Sequence, residues 1–103
     1  MSLGLNVAAM ARIEADRIYA LILPEEDTAE TVTIPLPFFA RVVKNAQGLE
    51  AIAPNYIKAG LDRLIATAKV RKLRRKVVIP KQSLADVAAA FRIAADLAEG
   101  RYP

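Results

Sequence analysis

Val32-Thr33-Ile34-Pro35-Leu36-Pro37-Phe38-Phe39-Ala40-Arg41-Val42 and Val77-Val78-Ile79-Pro80-Lys81-Gln82-Ser83-Leu84-Ala85-Asp86-Val87 align without a gap, 45 residues apart. Their shared pattern is V-x-I-P, three free positions, an apolar residue, Ala, one free position and Val. β-Branched residues ending in proline describe a short strand, and the spacing that follows describes the first turns of a helix, where proline is tolerated. The pattern therefore predicts two very short strands, 30–34 and 76–79, each feeding a helix. Two copies are too few for a solenoid. The strands are expected to pair as a ribbon, within one chain or across a dimer.

Around these junctions the apolar spacing is helical. Leu5 to Leu23 reads as a first helix stopped by Pro24, with Val7, Met10, Ala11, Ile18, Leu21 and Ile22 on one stripe. The alternative, a strand from Arg17 to Leu23 leading through Pro24–Ala29 into a hairpin, is disfavoured by the helix-forming run Ala8 to Ala15 that enters it unbroken. Glu14 falls inside the apolar stripe, where a charge is costly unless paired. Its expected partner is Arg17 or an arginine across an interface. A second helix spans about Pro37 to Gln47, with Phe39, Val42, Val43 and Ala46 inward and Gly48 as its cap. A third starts near Asn55 with Ile57, Leu61, Leu64, Ile65 and Ala68 on one face. The last runs from about Ser83 to Glu99, Ser83-x-x-Asp86 standing as a capping box and Gly100 as terminator. The fold class is mainly α-helical α+β, about four helices and two strands, forming one small domain over 1–103.

Alanine fills 20 of 103 positions. Such a composition favours helices but buries little area per residue, and a thin core gains burial by association. The last helix adds a second apolar stripe, Ala90, Ile93 and Leu97, and a helix apolar on two faces must be covered on both. A homo-oligomer, a dimer or more, is the expectation.

Lys69-Val70-Arg71-Lys72-Leu73-Arg74-Arg75-Lys76 places six cations in eight residues, with no acid before Asp86. With Lys and Arg at 15 against 11 acids, this segment creates the whole net charge of +4. Extending the apolar face of the third helix puts Arg71, Lys72 and Arg75 where core residues would follow. The segment thus reads as a basic helix end that leaves the body, or unwinds, near Lys69. Cations suit a helix C-terminus, but that effect is confined to its last turn, and six exceed it. A counter-charge is needed: the Glu25-Glu26-Asp27 turn, an acidic protein, or phosphate.

The chain has no Cys and no His, which removes disulfides, thiol nucleophiles, the usual zinc sites and a histidine base. Gly4, Gly48, Gly60 and Gly100 are scattered and form no phosphate loop, and Ser2 and Ser83 have no base to activate them. Pro24-Glu25-Glu26-Asp27-Thr28 lacks the spacing of a calcium loop and reads as a solvated turn. No enzyme, cofactor or metal is expected. The longest uncharged stretch between two charged residues, Thr31 to Ala40, is about half a membrane span and contains two prolines, and no signal peptide is visible, so a cytoplasmic protein is expected. No aromatic lies between Tyr56 and Phe91, so the basic segment lacks stacking groups for single-stranded bases. The expected function is non-catalytic binding or assembly, with nucleic acid held through phosphate contacts of Lys69, Arg71, Lys72, Arg74, Arg75 and Lys76. The alternative is a homo-oligomeric or protein-interaction module whose basic segment docks an acidic partner.

Overall fold

The structure, a computed structural model, describes residues 3–23 and 29–100, with side chains from residue 6 onward. Among the described residues, four helices and three strands follow in the order α1 (Leu3–Ile22), β1 (Thr31–Pro35), α2 (Leu36–Leu49), α3 (Pro54–Thr67), β2 (Lys69–Arg71), β3 (Lys76–Pro80) and α4 (Lys81–Ala98). The mainly helical α+β class is as the sequence indicates; the strands are three, not two. The run 17–23 is helical through Ile22, and the Pro24–Thr28 turn lies outside the described residues.

The strands form an antiparallel sheet of order β1-β3-β2. The repeated segments pair within the chain, with Val32 opposite Ile79, Thr33 opposite Val78 and Ile34 opposite Val77. Thr33 and Val78 hold the same position in the two copies, so the register is centred on equivalent residues and the ribbon has a local two-fold relation. The relation extends past the strands. Leu36 N–H donates to the Arg75 carbonyl at 2.9 Å, and its counterpart Lys81 N–H donates to the Glu30 carbonyl at 2.9 Å. Pro35 and Pro80 sit in extended backbone at the two helix entrances, φ −62° and −59°, where neither can donate to the ladder.

One sheet face carries Ile34, Val77 and Ile79, all fully buried against the helices. The rest of the core comes from Ile18 of α1, Val42 and Leu49 of α2, Ile57 and Leu64 of α3, and Leu84, Val87 and Phe91 of α4. Small residues bring the helices close: Ala11 and Ala15 on α1, and Ala88, Ala94 and Ala95 on α4, are buried. Helices α1 and α4 share the largest contact and run antiparallel, as their cross-links show. Arg12 is held by Asp96 at 2.8 Å and by Glu99, and Arg92 reaches Asp16 at 3.3 Å while stacking 4.3 Å over Tyr19. Glu99, then Asp96, raises the Arg12 pKa above its ordinary value.

Three boundary expectations need correction. Helix α3 begins at Pro54 with Ala53 as its cap, not Asn55, and Pro at the first helical position replaces the side-chain cap. Helix α2 runs through Gly48 to Leu49. Ser83 does not cap α4, which already starts at Lys81; its buried hydroxyl pairs with Thr67 Oγ1 at 2.9 Å, and Asp86 binds Arg63 and Gln82. Ile65, expected inward, is half exposed. Gly100 ends α4 as expected, at φ +80°.

Candidate functional site

The basic segment is a β-hairpin, which corrects its reading as the projecting end of the third helix. Helix α3 stops at Thr67, whose hydroxyl donates back to the Arg63 carbonyl at 2.8 Å, and Ala68 turns to extended backbone. A helix continued to Lys76 would stack Arg71 on Arg75 and Lys72 on Lys76 at i,i+4 spacing, which is unfavourable. The alternation Lys69-Val70-Arg71 and the β-branched run Val77-Val78-Ile79 suit strands instead. That period of two was the missed signal, concealed by reading the charges as one block.

Strand β2 pairs with β3 through Lys69 opposite Val78, Val70 opposite Val77 and Arg71 opposite Lys76. Cross-strand partners share a face. The outer sheet face therefore presents Lys69 and Arg71 from β2, Lys76 and Val78 from β3, and Thr31 and Thr33 from β1. All but Val78 are exposed. The loop Lys72-Leu73-Arg74-Arg75 closes with Arg75 N–H donating to the Lys72 carbonyl at 3.1 Å, and Arg75 adopts a left-handed φ of 52°. Beside it, Val70, Arg71, Lys72, Leu73 and Arg74 line a shallow hollow.

All six cations singled out in the sequence are thus gathered on one hairpin, and all are exposed. None forms an ion pair among the described residues, and Arg71 stands directly opposite the like-charged Lys76. The contrast lies in the other described arginines. Arg12, Arg17, Arg41, Arg63 and Arg92 are each held by at least one carboxylate. The Glu25-Glu26-Asp27 turn, one of the three candidate counter-charges, lies outside the described residues.

Glu14 behaves as expected, with one difference. It is buried at 1% exposure, and its Oε1 accepts from Arg17 at 2.9 Å and from Arg41 of the same chain at 2.5 Å. Its other oxygen has no partner among the described residues. A feature that sequence reasoning missed is an open groove of 580 Å³ between α3 and α4, floored by Ala59, Gly60, Ala89 and Ala90 and flanked by Tyr56 and Ile93. Among the described residues no cluster of acids, His or Cys could hold a metal ion, and no helix is long and apolar enough to cross a membrane. No protein-family model, curated protein or solved structure matches this chain.

Proposed function

We propose that this is a non-catalytic nucleic-acid-binding protein that holds the phosphate backbone of a duplex with the β2–β3 hairpin and the outer face of its sheet. The observation that carries the reading is the set of six exposed cations on one hairpin, none of them ion-paired among the described residues, in a chain whose other described arginines are all paired. Placing Arg71 opposite Lys76 costs folding free energy, and an anionic ligand between them reverses the sign of that term. Thr33, across Val78 from Lys69 on the outer face, adds a hydroxyl donor suited to phosphate oxygens. The hairpin and outer face contain no aromatic side chain, which favours a duplex over a single strand. The test is affinity for a mixed-sequence duplex as a function of salt. Four or five phosphate contacts give a log–log slope of about −4. With no Trp and three Tyr, co-purifying nucleic acid would also dominate the ultraviolet spectrum. Absence of salt-sensitive binding to DNA or RNA would overturn the reading and leave an acidic protein as the hairpin's partner.

The α3–α4 groove supports a second property, self-association. Inside the chain α1 and α3 flank α4, so much of its double apolar surface is already covered: Ala90 is buried, and Ile93 and Leu97 are partly so. What remains open is the groove beside Tyr56, itself half exposed. We place a homodimer contact there, tested by light scattering after size exclusion.

A further inference from the structure

We infer that Leu73 is a wedge that enters between stacked base pairs from the minor groove and kinks the bound duplex, an inference that rests on the proposed duplex binding. Leu73 has a relative exposure of 102%, so none of the described residues covers it. It occupies the first central position of the Lys72–Arg75 turn, between Lys72 and Arg74. Nothing in the turn's own stability calls for this sequence. Gly, Asn, Asp and Pro are the residues that favour such loops, and all four are missing from it. Arg75 takes a left-handed backbone that Gly or Asn adopts at lower cost, the neighbouring cations repel one another, and the apolar side chain faces water. Three local rules broken within four residues mark a site shaped by something other than folding.

The tip is nevertheless firmly held. Arg75 N–H is bonded to the Lys72 carbonyl, and the Arg75 carbonyl accepts from Leu36 N–H at the entrance of α2. A fixed tip loses little conformational freedom on binding. Its ligand must offer an apolar slot bordered closely by anions, because Leu73 lies among Arg71, Lys72 and Arg74. A base-pair step seen from the minor groove has that form, with phosphates along both rims and unstackable bases between, and Leu is among the side chains that open such steps. A lipid surface shares the chemistry in part. The cations, however, continue from the tip along the outer sheet face through Lys69 and Lys76, as an elongated polyanion requires and a shallow insertion does not.

The experiment uses the full chain and a duplex of about 30 base pairs, labelled at its ends for energy transfer. The wild-type protein should shorten the end-to-end distance as expected for a kink of roughly 20–90°. Leu73→Ala should abolish the shortening, weaken binding by no more than roughly tenfold, and keep the salt slope, since it removes no cation. Leu73→Met should restore the kink. Equal shortening by wild type and Leu73→Ala, or tight binding without shortening, overturns the wedge and leaves backbone binding standing. No binding to the duplex overturns both. Leu73-dependent binding to vesicles of phosphatidylserine and phosphatidylcholine, without duplex distortion, also overturns the wedge and assigns the tip to a membrane surface.

Discussion

Glu14 on α1 and Arg41 on α2, 27 residues apart, meet at 2.5 Å across a junction where the two helices share little other packing. Glu14 is almost completely buried, whereas Arg41 and Arg17 are each about half exposed. The asymmetry decides what substitution does. Removing the carboxylate lets both guanidiniums turn to water, so the cost of Glu14→Ala is chiefly the cavity and the lost hydrogen bonds, about 1–3 kcal/mol in urea denaturation. Glu14→Gln should cost less. Glu14→Met should be close to neutral or stabilising, because it fills the space and removes a buried oxygen that has no partner among the described residues. An Ala variant as stable as the parent would show that the junction does not depend on this bridge.

Folding and binding separate at the hairpin. Arg71, Arg74 and Arg75 make no ion pair among the described residues, so the combined variant Arg71→Ala, Arg74→Ala, Arg75→Asn should keep or raise the urea midpoint. Asn accepts the left-handed backbone at position 75. The same variant should flatten the salt slope of duplex binding by about 2–3 and weaken unrelated sequences alike. Arg75→Gly alone should stabilise by about 0.5–1 kcal/mol, and Arg75→Val should destabilise, since a β-branched residue is unfavourable at φ 52°.

The pairing of Thr33 with Val78 shows why two strands of the sheet, β1 and β3, were legible and the third, β2, was not. V-x-I-P recurs because both copies meet the same demands: an isoleucine under the helices, then a proline that ends the ladder and opens a helix. Ile34 and Ile79 are both fully buried. Each Ile→Ala change should therefore cost about 2–5 kcal/mol, and the two should agree within about 1 kcal/mol if the local two-fold relation extends to energetics. Strand β2 has no such mark. Its three residues are all exposed, and the one apolar member, Val70, lies at the sheet edge. Edge strands kept short and charged resist pairing with other chains, which also hides them from apolar patterning. The site residues were visible as a charge excess, while their arrangement depended on where α3 ends. The Asn55 and Ser83 caps failed for a related reason: prolines at 54 and 80 set the helix starts, so the polar side chains were free for other contacts.

Two helix glycines test packing in opposite senses. A Cβ at Gly48 would meet nothing within 4 Å, so Gly48→Ala should add about 0.5–1 kcal/mol through helix propensity alone. At Gly60 a Cβ would lie 3.5 Å from Val87 Cα and Cγ2. Alanine fits there in ordinary contact, and its gain should be similar or smaller. Gly60→Val extends past that contact, forces α3 from α4, and should cost about 1–3 kcal/mol.

The α3–α4 groove gives the last prediction. Its floor of Ala59, Gly60, Ala89 and Ala90 admits a side chain from a second copy, and Tyr56 at its edge has both an apolar ring and a hydroxyl for the wet rim of a contact. Arg63 and Asp86 line the same groove and pair with each other at 2.8 Å. Their charges are already satisfied, so an incoming surface needs little charge of its own. Light scattering at micromolar concentration should report at least a dimer, and Tyr56→Glu should shift it to monomer without changing helical content by circular dichroism. A wild-type monomer at that concentration would remove the homodimer, and the helices would then be sufficiently covered by one another.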